Sequence, residues 1–265
     1  MSEMFALLAE DRRVLRISGA DHRKFLQDLV TNDINGVEGG LVYAALLTPQ
    51  GKYLADFFLA ADGDGLLIDA DAAQAPQLFQ RLAMYKLRAA VELVEAPHKV
   101  VLFWGAGDPP DGAAADPRDP TLGWRLLSPA PDLGAYAEGD AAQYAALRIA
   151  ATVPASGQEL IPNESYILEA GFDRLNGVDF RKGCYVGQEV TARMRHKTEL
   201  RKGFVRVEID GTAPPPGTPI EAEGRPAGTL YSAAEGVGIA HLRFDRAAGP
   251  MSAGGVPVRW PDAPG

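Results

Sequence analysis

Cysteine is nearly absent from this 265-residue sequence; Cys184 is the only one. A single thiol excludes an intramolecular disulfide. It also cannot hold an iron–sulfur cluster with thiolates from one chain, because such clusters take several. Structural zinc takes four ligands at short spacings, and the four histidines (His22, His98, His196 and His241) are scattered. No metal site is expected. Long apolar runs are missing too, and nothing approaches the ~18 residues that cross a bilayer, so no membrane association is expected. The first thirteen residues lack a basic stretch leading into an apolar core, and Glu3, Glu10 and Asp11 interrupt any Arg-rich import leader. The expected compartment is the bacterial cytoplasm, or else this is a mature protein whose leader has been removed. Positive charge is in deficit as well: the net charge is −9, which argues against a general nucleic-acid binder.

What is present is an ordinary globular composition and one charge anomaly. Between Arg181 and Lys202 lie Arg181, Lys182, Arg193, Arg195, Lys197, Arg201 and Lys202, against only Glu189 and Glu199. A basic field inside an acidic chain suits an anionic ligand; its plain alternative is a solvated helix face.

The patterning predicts an α+β body. Arg12 to Ser18 alternates as a strand, and Ser18 and Asp21 have capping-box spacing before a helix through Phe25, Leu26, Leu29 and Val30. Leu41 to Leu47 reads as a strand, and Tyr53–Ala60 with Leu66–Ala70 as a hairpin around Asp62-Gly63-Asp64-Gly65. A helix is expected over Ala72–Leu87 with Pro76 in its first turn. Strands follow at Arg88–Ala96 and Lys99–Gly105. Gly107 to Pro120, rich in proline, reads as a surface loop or subdomain boundary, and Gly139–Ala151 as a helix. After Lys202 come five or six short strands between Pro/Gly turns, the mark of a small barrel or sandwich. The predicted organisation is an α+β region over 1–200, with a boundary near 107–120, and an all-β unit over 201–265.

Chemistry concentrates in Lys182-Gly183-Cys184-Tyr185-Val186-Gly187-Gln188-Glu189. The cysteine sits in a glycine-flanked turn before a helix expected over Val186–Lys197. The helix dipole together with Arg181 and Lys182 would favour a thiolate, and free N–H groups there could meet an anion. Gln188 and Glu189 lie in the first turn, where they could orient a ligand. The plain reading of a lone cysteine is a small buried hydrophobe.

These eight residues resemble the K-G-C-x-x-G-Q-E signature of the YgfZ family, folate-binding proteins of iron–sulfur cluster maintenance related to the glycine cleavage T-protein (aminomethyltransferase). Val14–Asp21 running into Phe25–Asp33, then Leu47–Lys52 followed by Asp56-Phe57, and Ile161-Pro162 with Glu169-Ala170-Gly171 resemble further blocks of that family in order. The resemblance implies a T-protein-like α+β fold, with two intertwined subdomains around a central channel and a C-terminal barrel. It implies tetrahydrofolate in the channel, where Glu169 would accept the paired N–H donors of the pterin. Asn32, Gly187, Gln188, Glu189 and Arg193 would line the cofactor site, the basic cluster meeting the folate tail.

The T-protein branch carries two adjacent aspartates where this sequence has Ala55-Asp56. Loss of one carboxylate argues against glycine cleavage. The expected function is therefore folate-dependent assembly or repair of iron–sulfur enzymes, with Cys184, Lys182 and Asp56 as the chemical residues and client enzymes or assembly factors as partners. The alternative is a one-carbon transferase. A third reading, RNA contact linked to tRNA-modifying iron–sulfur enzymes, ranks last because of the net charge.

Overall fold

The computed structural model describes residues 3–197 and 200–263. The chain opens in one sheet, builds a second, and returns to the first. β1 (Met4–Leu8) is followed by β2 (Arg12–Ser18), α1 (His22–Gln27), β3 (Val42–Leu47), β4 (Tyr53–Asp62), β5 (Gly65–Asp71), α2 (Ala75–Lys86) and β6 (Glu92–Glu95). Then come β7 (Lys99–Gly105), β8 (Ala114–Ala115), β9 (Trp124–Ser128), β10 (Ala137–Glu138), α3 (Ala141–Ala150) and α4 (Gln188–Lys197). One sheet has the order β3-β4-β5-β2-β6 and the other β10-β1-β7-β9-β8. Because β1 pairs with β7 and β10 across the whole second sheet, the two α+β portions are intertwined.

The period of two in a strand explains how the sheets stack. All six residues of β3 are buried. Tyr43, Ala45 and Leu47 face a core shared with Leu102 and Trp104 of the other sheet, while Val42, Ala44 and Leu46 face a core beneath α1 and α2. A strand covered on both faces reads as continuously apolar.

The last strands are β11 (Lys202–Ile209), β12 (Pro219–Ala222), β13 (Arg225–Ala234), β14 (Val237–Arg243), β15 (Met251–Ala253) and β16 (Val256–Arg259). They close a barrel in the order β11-β14-β13-β12-β15-β16.

Local expectations fail in four places. Asp21 caps α1 only by position; its carboxylate accepts from the Ala90 N–H across the sheet edge instead, and Ser18 ends β2. The strand expected from Arg88 shrinks to four residues, since 88–91 form the turn that returns from α2. The helix after Cys184 starts at Gln188, because Gly187 takes a φ of +84° that helical residues do not adopt. The proline-rich 107–120 stretch is no simple surface loop, since it carries buried Asp116 and Arg118 into the centre of the molecule.

Candidate functional site: an exposed thiol on an anchored turn

Cys184 is exposed, so it is not the buried hydrophobe that a lone cysteine would ordinarily be. The burial lies in its supports. Lys182 is 8% exposed, and its Nζ donates to the carbonyls of Gln27 (2.7 Å), Val30 (2.5 Å) and Asn32 (3.1 Å). These acceptors belong to the end of α1 and the turn beyond it, where helix carbonyls lack intrahelical partners. Burial draws the Lys182 ammonium down to about 8, against partial opposition from Asp33, Asp28 and Asp179. Lys182 was expected to favour a thiolate. Its donors are spent instead on the backbone, and it works as a tether.

The same stretch is sewn on by further bonds. The Thr31 hydroxyl donates to the Gly177 carbonyl (2.7 Å), and the Asp179 N–H donates to the Thr31 carbonyl (3.1 Å). Asn32, a residue expected at the cofactor, donates its amide to the Tyr43 and Asn176 carbonyls and accepts from the Asp33 N–H. Its side chain is committed to structure.

On the far side, Gly187 presses against the Thr48–Gly51 turn. A Cβ built on Gly187 would lie 2.6 Å from the Thr48 oxygen and 3.1 Å from the Gly51 Cα. Tyr185 is buried at 7% exposure. Thus three blocks that are separate in sequence, Gln27–Asp33, Thr48–Gly51 and Lys182–Glu189, meet in one place, with Gly183 and Cys184 facing solvent between the anchors.

Of the basic cluster, Arg181 and Arg193 are exposed and the Arg195 guanidinium sits over Phe180, 3.5 Å from the ring centroid, while Gln188 is half-buried beside the exposed Glu189. Glu199, counted in the sequence cluster, falls outside the described residues.

Asp56 is buried elsewhere, between the two sheets. It accepts from the hydroxyls of Tyr43 (2.9 Å) and Tyr53 (2.6 Å), and Tyr53 also meets Gln74 and Ser156. Burial, and then the Asp56 charge, hold both phenols well above their ordinary value, so both remain donors. Next to it lies a layer that sequence reasoning missed. Asp69 binds Arg12 (2.6 Å) and Arg125 (2.8 Å), Asp116 binds Arg118 (2.7 Å), and the three guanidiniums surround the Phe58 ring. The available signal was a carboxylate in the apolar run Leu66-Leu67-Ile68-Asp69-Ala70.

Glu169 lies at the seam between body and barrel. Its Oε2 is 3.4 Å from both Lys202 Nζ and His241 Nε2, and its carbonyl accepts from the Phe204 N–H (2.8 Å). Burial alone would raise its carboxyl, but the His241 hydrogen bond and the Lys202 charge more than offset this and hold it below the usual range. A cavity of about 190 Å³ opens here, walled by Tyr166, Phe204 and Tyr231. Asp56, Glu169 and Cys184 thus occupy three distinct surroundings.

Comparison with known proteins decides the family. The chain is 37% identical over 231 residues to an iron–sulfur cluster assembly factor IBA57 homolog of Mycosarcoma maydis, covering 77% of this chain and 57% of that one. It is 31% identical over 302 residues to human IBA57, covering 95% of this chain and 84% of the human one. This chain belongs to the IBA57 family. The relative from Pyricularia oryzae agrees, at 33% identity over 89% of this chain and 71% of its own length. IBA57 is a family related to YgfZ, and it is the IBA57 membership that these relatives show. Residues 201–263 match the CAF17 C-terminal β-barrel domain, which is the barrel β11–β16. The fold matches aminomethyltransferase T of the glycine cleavage system from Bartonella henselae, with a TM-score of 0.79 over 97% of this chain and 84% of that one; at 14% identity this shows the fold alone. The T-protein-like α+β architecture with its late barrel is therefore as the sequence implied. The expected cytoplasmic location is overturned, because the IBA57 relatives carry mitochondrial names.

Proposed function

We propose that this chain acts in iron–sulfur cluster assembly, as its relatives are named to do, with Cys184 as the working thiol. The observation that carries the reading is the exposed thiol on a turn fixed at both ends, by Lys182 on one side and Gly187 on the other. Fixing the backbone removes the ordering cost that a mobile loop would incur when its cysteine engages a partner. One cysteine supplies one ligand, so the remaining ligands of any cluster must come from an assembly factor or client enzyme. The exposed Arg181 and Arg193 give the turn a field that suits an anionic group, and Gln188 and Glu189 stand in the first turn of α4 behind it. Asp56, held between two tyrosine hydroxyls, is the group that a one-carbon transfer would draw on.

Tetrahydrofolate belongs to the proposal through the Glu169 cavity. At about 190 Å³ it is smaller than the ~300–1,000 Å³ of a typical ligand site. It suits the pterin ring alone, with the tail outside. Tyr166, Phe204 and Tyr231 would stack on the ring while Glu169 accepts its N–H pair. A bound folate would supply one-carbon chemistry.

The test separates the two halves. Cys184→Ser and Glu169→Ala variants are compared for restoring iron–sulfur enzyme activity in a deletion strain and for tetrahydrofolate binding by calorimetry. Cys184→Ser should fail to restore activity and bind folate normally, while Glu169→Ala should bind folate at least tenfold more weakly. Full restoration by Cys184→Ser would end the thiol's role, and unchanged binding by Glu169→Ala would remove folate from this cavity.

A further inference from the structure

A groove of about 950 Å³ crosses the barrel between β11, β16 and the loop leading into β15, at the upper end of the range for small-molecule sites. Its origin is visible in the register. β11 pairs with β16 only at Glu208↔Arg259 and Ile209↔Val258. Continued ladder pairing would set Arg206 opposite Pro261, which has no N–H to give, and there the pairing stops.

Arg206 faces this gap. Its Nε is shielded from solvent and has no hydrogen-bond partner among the described residues. The neighbouring charges do not answer it. Arg259 and Glu208 pair with each other. Asp210, just past the end of β11, lies four residues further on, roughly 13 Å away at about 3.3 Å per residue. Trp260 walls the groove at the Arg206 end, while Val237, Met251 and Pro257 line it toward Asp210, and Trp260 is held against Phe244 at a centroid distance of 5.1 Å. An Nε–H withdrawn from water without an acceptor is costly, and the planar N–H fork of this half-buried guanidinium matches an oxyanion.

We propose that the barrel groove binds an apolar monoanion, a carboxylate or sulfonate on an aryl or acyl body, with Arg206 taking the oxyanion and Trp260 packing on the apolar part. Nothing in the thiol or folate reading requires this site, which is built from barrel residues alone.

The probe is 8-anilinonaphthalene-1-sulfonate, titrated into the native protein by fluorescence, beside its uncharged relative N-phenyl-1-naphthylamine. Expected is one saturable site per chain with energy transfer from tryptophan. Arg206→Gln should weaken the sulfonate at least tenfold while leaving the uncharged probe unchanged, and Trp260→Phe should reduce the transfer. Arg13→Gln, an exposed arginine on β2 of the body, should bind as the parent does. Circular dichroism confirms that each variant is folded. Absence of a saturable site, or equal sulfonate binding by folded Arg206→Gln and parent, overturns the assignment.

Discussion

The Cys184 turn and the arginine–aspartate layer around Phe58 are built from similar groups and put them to opposite ends. In the layer, every charge is turned inward: Asp69, Asp116, Arg118 and Arg125 are all buried and answer one another. At the turn, only the supports are buried, and the thiol is left outside. The first arrangement holds two sheets together across segments distant in sequence. The second fixes a short piece of backbone and leaves its reactive atom unengaged. Burial of polar groups therefore marks the framework here, and the candidate chemistry stands where burial stops.

The layer gives the largest expected effect. Asp69 supplies the closest ion pairs of both Arg12 and Arg125, with Asp116 reaching Arg125 only at 3.5 Å, so Asp69→Ala would strip two guanidiniums of their nearest counter-charge. A loss of about 3–5 kcal/mol is expected, read as a lower denaturation midpoint in urea. The thiol turn lies outside this layer, so in whatever folded fraction remains Cys184 should label with a neutral thiol reagent at the parent rate. A slowed rate would mean that layer and turn are one unit.

Gly187→Ala attacks the turn instead. The φ of +84° and the 2.6 Å approach to the Thr48 oxygen leave no room for a Cβ. Strain of about 1–3 kcal/mol is expected, together with altered Cys184 labelling, whereas the layer variant changes stability alone. Parental stability and labelling in Gly187→Ala would show that the anchor is not needed.

How much of this contrast was legible in the sequence follows from range. β2 and β7 have the bounds that alternation implied, and the β4–β5 hairpin followed from Asp62-Gly63-Asp64-Gly65, because these signals are local. The importance of the Cys184 segment was legible from its resemblance to a family. Its mounting was not, because Lys182 reaches carbonyls about 150 positions earlier. Arg118 likewise stands in a proline-rich stretch whose local character is that of a surface loop, and only its partner Asp116 and the Phe58 and Tyr43 rings bring it inside. Long-range satisfaction of polar groups overrode local propensity at both places.

The smallest expected effect sharpens the comparison most, because it tests a tether that titrates. Lys182→Met removes a buried charge but leaves the carbonyls of Gln27, Val30 and Asn32 without their donor, for a net loss of about 1–2 kcal/mol near neutral pH. The pH dependence sets this residue apart. In the fold Lys182 titrates at about 8, against 10.5 ordinarily. Between these values the unfolded chain holds a proton that the folded chain has released, so parental stability rises with pH across that window. Lys182→Met has no such group, and its deficit should widen from pH 8 to pH 10.5. Denaturation midpoints of both proteins across that range measure the difference, and a constant deficit would show that the amine keeps its proton in its ring of carbonyls. The turn that carries the thiol is then adjustable by alkaline pH through its tether.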